Sequence, residues 1–405
     1  MNKLEFHGAA TLLSLLAALA FVGCGDDVAP ICDGAVLTAA LASATSGDVV
    51  RIGECEVTGA FIVPAGVTIA GSSRTLSVIH GQAGAVALKL IAGPVGEPTR
   101  ATSMTIRVDG SVGVYAKGGG EIALADVTVT TTSASATHGV VLDGLGGAAL
   151  TNVDVSGFAG RGVFVVGGNA TFSQVRVTGT LAFAGTPGFG VAITDGAKVT
   201  TTGLTVTGTT GIGVFHNMAQ GTHTDLVSSD NSLPGVWVQN TPTALSFAIS
   251  GAASALHGNG GAGLVAVDAR NLSIADVTVD ASRSADVFGT TYADGLQFVR
   301  TFESVALRDL AVANNPRTQL IFRAGAAPMA ATDMPSFTNV SVDGTGAALG
   351  CVDDESFLEV WDLAVVRLGA TMVNDDAFSF VTTPIGTAEV IGPMSFPARS
   401  ELAPF

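Results

Sequence analysis

From about Gly113 onward the chain repeats one short unit, a glycine followed by alternating apolar residues. It reads Gly113-Val114-Tyr115, Gly139-Val140-Val141-Leu142, Gly162-Val163-Phe164-Val165 and Gly190-Val191-Ala192-Ile193. It continues as Gly213-Val214-Phe215, Gly235-Val236-Trp237-Val238, Gly263-Leu264-Val265-Ala266 and Gly295-Leu296-Gln297-Phe298, at steps of 26, 23, 28, 23, 22, 28 and 32 residues. A second unit runs between the first, polar and apolar in alternation: Asp126-Val127-Thr128-Val129, Asn152-Val153-Asp154-Val155, Gln174-Val175-Arg176-Val177, and later Asp276-Val277-Thr278-Val279 and Asp309-Leu310-Ala311-Val312. Period-two alternation marks strands with one buried face. Two short strands in every step of this length mark a solenoid, in which each strand buries its apolar face only by stacking on its copies in neighbouring coils. Thr, Val and Gly at this density exclude a helical repeat.

The N-terminal end has a different pattern. Residues Asp33 to Ser46 place Val36, Leu37, Ala40 and Leu41 on one helical face. Strand-like runs follow at Val49–Ile52 and Phe61–Ile69. A solenoid end exposes open core and unpaired strands, so this helix is expected to cap it. The opening helix, the Gly47-Asp48-Val49-Val50 turn and the Pro64-Ala65-Gly66-Val67-Thr68-Ile69 strand pair resemble the start of the pectin-lyase-like superfamily of right-handed β-helices. The repeats from Gly113 to about Gly344 extend the likeness over most of the mature chain. It implies an all-β, single-stranded right-handed parallel β-helix over 33–395, with a short tail at 396–405. That scaffold hosts lyases, hydrolases, epimerases, adhesins and inert surface proteins, so it implies no single activity.

Composition narrows the setting. The 405 residues carry a net charge of −16, with 52 glycines, 13% charged residues and 47% hydrophobic residues. Lysine occurs only as Lys3, Lys89, Lys117 and Lys198. Nucleic acid is therefore not an expected partner, since phosphate binding needs clustered cations. Ala9–Val22 is an apolar run of signal-peptide length behind the basic Lys3, and Phe21-Val22-Gly23-Cys24 resembles a bacterial lipobox with Phe where Leu is usual. That resemblance implies a signal at 1–23, lipid on Cys24, a tether over 24–32, and attachment to the cell envelope, with the outer membrane as the expected site. Cleavage after Ala18-Leu19-Ala20 is the alternative. Cys32 and Cys55, 23 residues apart in an oxidising compartment, are expected to pair. Cys351 is left over, either a small buried hydrophobe or a thiol.

The chemistry is thinner. The polar residues opening the second unit (Asp126, Asn152, Gln174, Asp225, Asp276 and Asp309) read as stacked turn residues, because Asn and Gln interchange with Asp there. The alternative is a Ca²⁺ or catalytic carboxylate row. In the first unit the third position should face outward. That row holds Tyr115, Val141, Phe164, Ala192, Phe215, Trp237, Val265 and Gln297, an apolar set on a face where the second unit carries Thr, Asp, Arg and Ser. Tyr115, Phe164, Phe215 and Trp237 are thus candidate ligand contacts, unless longer turns such as Thr180–Phe189 fold over them.

Motifs of known members are missing. Asn314 stands where the first Arg of the pectate-lyase Arg-x-Pro-x-x-Arg run would be, and the paired Asp and Gly-His-Gly motifs of polygalacturonases are absent. For an enzymatic reading the candidates are Asp268, Asp294, Arg300 and Arg308, with Ca²⁺ as a possible aid. No histidine spacing suggests a transition-metal site, and His216 reads as a strand-end histidine beside Phe215 and Asn217. The expectation is a monomeric, envelope-anchored β-helix that contacts polysaccharide or an envelope protein through its aromatic row. A polysaccharide lyase or hydrolase with an unfamiliar site, and a passive spacer, are the alternatives.

Overall fold

The computed structural model describes residues 29–287, 290–299, 301, 304–316 and 319–323, and beyond them the strand backbones at 336–343, 358–361, 367–368, 372–373 and 389–390. Over these residues the chain is a parallel β-helix. A 13-stranded sheet collects the first repeat unit, and a 20-stranded sheet collects the rest of each coil. Successive coils stack in parallel and in register, so that Val114 lies beside Val140, Val163, Val191, Val214, Val236 and Leu264 in turn. Stacked parallel strands lie about 4.8 Å apart, so each such column runs along the solenoid axis.

Each coil has three strand segments where the sequence pattern shows two. The long strands Glu121–Thr131, Gly147–Ser156 and Asn169–Thr178 each bend once, at Asp126, Asn152 and Gln174. The bend divides the 20-stranded sheet into a middle face and a third face. All three bend residues take left-handed backbone angles, φ 54°, 52° and 54°, and Ser103, Asp225, Asp276 and Asp309 do the same in their coils. Asp and Asn tolerate this region better than other residues with a side chain. The polar row is thus a row of corners, as its interchangeability implied.

The repeated glycine has a steric cause. The coils approach closely at it: a Cβ placed on Gly139 would sit 2.5 Å from the carbonyl oxygen of Gly162, and one on Gly162 would sit 2.6 Å from that of Gly190. The same approach recurs from Gly113 to Gly295, so a side chain anywhere in the row would push two coils apart.

Inside, aliphatic columns fill the solenoid: Leu88, Val114, Val140 and Val163 on the first sheet and Val129, Val155, Val177 and Val206 on the third face are fully or almost fully buried. At the N-terminal end the helix Gly34–Ser43 closes this core. Asp33 starts it by accepting hydrogen bonds from the backbone N–H groups of Ala35 and Val36, at 2.8 and 2.9 Å. Leu37 and Leu41, one turn apart, plug the core, whereas Val36 remains 54% exposed. The capping face is narrower than the apolar pattern suggested. Cys32 and Cys55 form a disulfide with their Cα atoms 5.8 Å apart, tying the segment before the helix to the first coils.

Candidate functional site

The outward face of the first sheet carries the aromatic row. Register sets Lys89 beside Tyr115, then Val141, Phe164, Ala192, Phe215, Trp237, Val265 and Gln297, one residue per coil. Tyr115, Phe164, Phe215 and Trp237 are each half-buried, while Val141, Ala192, Val265 and Gln297 between and beyond them are buried. The aromatic rings stand above a floor of smaller side chains. The turn between Thr180 and Phe189 forms a tight hairpin, closed by reciprocal hydrogen bonds between Phe183 and Thr186. Its own Leu181 and Phe183 remain 41% and 42% exposed. Phe189, at the end of this turn, packs against the Phe215 ring at 5.1 Å.

Polar groups border the aromatics. Trp237 Nε1 donates to Gln239 Oε1 at 2.9 Å, and Gln239 and Asn240 both donate to Asn217 Oδ1, at 3.3 and 2.9 Å. These amides line one edge of the strands that present Phe215 and Trp237. Toward the N-terminal coils, Tyr115 donates to Asp143 Oδ2 at 2.7 Å, and Lys117 Nζ lies 3.7 Å from the same carboxylate. The hydrogen bond to Asp143, then burial, push the Tyr115 phenol up to about 12, so it stays protonated and fixed as a donor.

On the opposite edge, register aligns His138, Arg161 and Phe189. The Arg161 guanidinium sits 4.3 Å from the ring centre of Phe164 and 5.8 Å from that of Phe189. Phe189 packs on Phe215 at 5.1 Å. His138 Nδ1 bonds the Thr137 carbonyl and Nε2 faces Arg161 Nη1 at 3.5 Å. Burial, with the neighbouring Arg161 charge adding to it, pulls the His138 pKa below the usual histidine value. His138 is therefore neutral, with the proton on Nδ1 and Nε2 accepting. Arg161 and His138 were missed in the sequence because their strand-opening position looks like a turn; only the stacking of coils puts them beside Phe164.

Among the described residues, the enzymatic candidates Asp268, Asp294 and Arg308 do not converge. Asp294 opens its outward row in line with Ala262, and Asp268 ends the neighbouring strand, where its N–H bonds the Val299 carbonyl. Six residues of extended chain separate the levels of Ala262 and Asp268, about 20 Å. Asp294 is fully buried and accepts a hydrogen bond from Gln297. Arg308 lies on the strand Val305–Ala313 in the other sheet, exposed, and pairs with Asp309 at 2.7 Å and Asp276 at 3.7 Å. Arg300, Cys24 and Cys351 lie outside the described residues. His216 is not a strand-end residue: the strand Ile212–Asn217 carries Val214 and His216 inward, and the imidazole is fully buried. Among the described residues no three His, Cys, Asp or Glu side chains gather as metal ligands would, and no helix is long and apolar enough to cross a membrane.

No family model and no curated protein matches the sequence. Solved structures do match in shape. The A-module of a mannuronan C-5 epimerase from Azotobacter vinelandii is 12% identical, with 91% of this chain and 98% of that chain covered and a TM-score of 0.41. An alginate lyase from a Paenibacillus strain is 13% identical, with 90% and 98% covered and a TM-score of 0.30. A tailspike from an Acinetobacter baumannii bacteriophage, a capsular polysaccharide depolymerase, is 11% identical with a TM-score of 0.39; 87% of this chain covers 58% of that one. At such identities chains share at most an architecture, and nothing about chemistry passes between them.

Proposed function

We propose that this protein holds a polysaccharide chain along the outward face of its first sheet, as an exported β-helix tethered to the cell envelope through Cys24. One observation carries the reading: the ladder of half-buried aromatic rings on one outward face, Tyr115, Phe164, Phe215 and Trp237, bordered by the Asn217, Gln239 and Asn240 amides. An aromatic ring presents a flat apolar face to the C–H face of a sugar, while amides meet its hydroxyls; sites for small ligands combine these two features. The outward positions of the third face, such as Thr128, Asp154 and Arg176, carry polar side chains instead, and Asp154 pairs there with Arg74 at 3.2 Å.

The test incubates the mature chain, with the lipid-bearing cysteine changed, with neutral and acidic polysaccharides, with and without Ca²⁺, and follows polymer size and co-elution. Co-elution with a polymer of unchanged length supports a binding protein. A shortened polymer makes the same face an active site. Failure of every polymer to co-elute or shorten removes the reading and leaves a spacer.

A further inference from the structure

Away from the aromatic ladder, the third face is hollowed just past the row of corners. An open cleft of about 560 Å³ is lined there by Asn152, Gln174, Arg176, Thr178, Gly203 and Thr205, with Asp154 at its N-terminal end. It spans three successive coils, whose register sets Asp154 beside Arg176 and Arg176 beside Thr205. Its cause is local. The first two coils turn the corner on Asn152 and Gln174, but the third turns it on Gly203, at φ 68° and without a side chain. A Cβ on Gly203 would collide with Gln174 Nε2, so the glutamine amide reaches along the axis into the place left free. The strand also breaks at this corner, into Lys198–Thr202 and Thr205–Thr207.

The polar groups of the cleft are unevenly satisfied. Asp154 does not pair with Arg176, its neighbour in the ladder. It pairs with Arg74 at 3.2 Å, and the same guanidinium donates to the carbonyls of Val127 and Asn152 at 2.9 and 2.7 Å. The Asn152 side chain is used as well: Nδ2 donates to Asp126, and Oδ1 accepts from Arg74 at 3.4 Å. The side chains of Gln174, Arg176, Thr178 and Thr205 make no hydrogen bond or ion pair among the described residues. Arg74 and Asp154 cancel, so the cleft keeps the single positive charge of Arg176 in a chain of net charge −16. Its unused groups are chiefly donors: the five N–H of the guanidinium, the Gln174 amide and two hydroxyls. A smaller hollow on the same face, beside Asp276 and Asp309, is the reverse case, because its cation Arg308 is paired with both carboxylates.

We propose that this cleft binds a small organic oxyanion, a sugar-sized molecule carrying one phosphate or carboxylate, with that group seated on Arg176. A guanidinium fork meets two oxygens of such a group with parallel bonds. Thr178, two residues further along the same outward face, and Thr205, one coil on, supply hydroxyls to the rest of the molecule. A cleft of this volume is of the size that small ligands occupy, and a bare ion would leave most of it empty. No aromatic ring lines it, so a neutral sugar finds no stacking platform there. The site is on a different face from the ladder of Tyr115, Phe164, Phe215 and Trp237 and does not rest on the polysaccharide reading.

The experiment is titration calorimetry of the mature chain, with the lipid-bearing cysteine changed, against a hexose phosphate, the six-carbon sugar acid gluconate, inorganic phosphate and glucose. The expected result is that the hexose phosphate or gluconate binds at least about 10-fold more tightly than glucose, the size of one hydrogen bond to a charged group. Whichever of the two binds names the anion. Arg176→Gln should remove the preference, Arg176→Lys should keep part of it, since the charge remains and the fork does not, and Thr178→Val should weaken binding by a smaller factor. Arg176 is exposed, so an unchanged unfolding midpoint is expected in its variants. If neither anion binds more tightly than glucose, or if Arg176→Gln binds like wild type, the proposal falls. If inorganic phosphate alone binds as tightly as the hexose phosphate, the cleft takes a bare ion and the organic ligand falls. The comparison of charged with neutral sugar alters the ligand and not the protein, so it decides even where a variant proves unstable. None of these outcomes bears on the aromatic ladder.

Discussion

Nε2 of His216 lies 3.0 Å from Nε2 of His223, and the solenoid encloses both imidazoles completely. His216 occupies the column between Ile193 and Val238, and His223 the column between Thr201 and Ile249. The Phe247 ring packs against both, at 4.9 and 5.4 Å. His223 Nδ1 reaches Thr201 Oγ1 at 2.9 Å, whereas His216 Nδ1 has no partner. Room for the pair comes from Gly221, where a Cβ would fall 2.5 Å from His216 Cε1. No other titratable side chain is buried in these coils among the described residues.

Burial holds both imidazoles neutral, pulling His223 down to about 4 and His216 well below the usual histidine value; a proton on His223 would lower His216 further. The unfolded chain takes up protons near pH 6.5, and the folded chain does not until much lower pH. Stability from this site is therefore full above about pH 6.5 and falls as the pH drops toward 4, by roughly 3 kcal/mol for His223 alone. Urea midpoints at pH 7.5 and 4.5 check this. The double variant His216→Val with His223→Ile, which extends the flanking aliphatic columns, should lose much of the difference; parallel shifts in both proteins would count against it.

The Cys32–Cys55 disulfide closes a loop of 23 residues over the capping helix. Its removal by Cys55→Ser should cost about 3 kcal/mol through the freedom returned to the unfolded chain. Thermal unfolding with and without reductant measures the effect. A wild-type midpoint indifferent to reduction would show that the bridge adds nothing.

Gly162→Ala should destabilise the fold by about 1–3 kcal/mol, because the added methyl meets the Gly190 carbonyl and the buried Val177 side chain. Gly144→Ala, at a turn with no atom within 4 Å of the Cβ position, is the control for mere backbone preference at its φ of 63°. Chemical unfolding of the two variants separates crowding between coils from turn strain.

Trp237→Ala should weaken polysaccharide binding by about 10-fold, since covering the apolar face of an aromatic ring is worth about 1.5–3 kcal/mol. Its unfolding midpoint should move little, because the ring is half-buried on the outside. Val238→Ala, one residue on but fully buried, should reverse the pattern, with about 2 kcal/mol of stability lost and binding kept. Equal loss of stability in the two variants would mean that the tryptophan belongs to the core.

The repeat of Gly113, Gly139 and Gly162, the alternating Val columns and the cap at Leu37 and Leu41 made the solenoid legible in the chain, because period-two burial and a steric demand for glycine are local properties of each strand. The polar corner residues were legible for the same reason. The middle strand of each coil was not: its inward column passes through Ala101, Leu124, Leu150, Phe172, Thr201, His223 and Ile249, a series with no single chemistry. The site was half visible. Alternation put Tyr115, Phe164, Phe215 and Trp237 outward, but nothing local joins His138 and Arg161 to Phe164 or turns His216 inward against His223. Those relationships depend on register between coils 22 to 28 residues apart and on where a strand ends, by one residue. The sequence by itself determined that coils stack and which rows face out. Only the tertiary structure decided which side chains of different coils meet, because a parallel ladder brings together residues that share a level and not a neighbourhood in the chain.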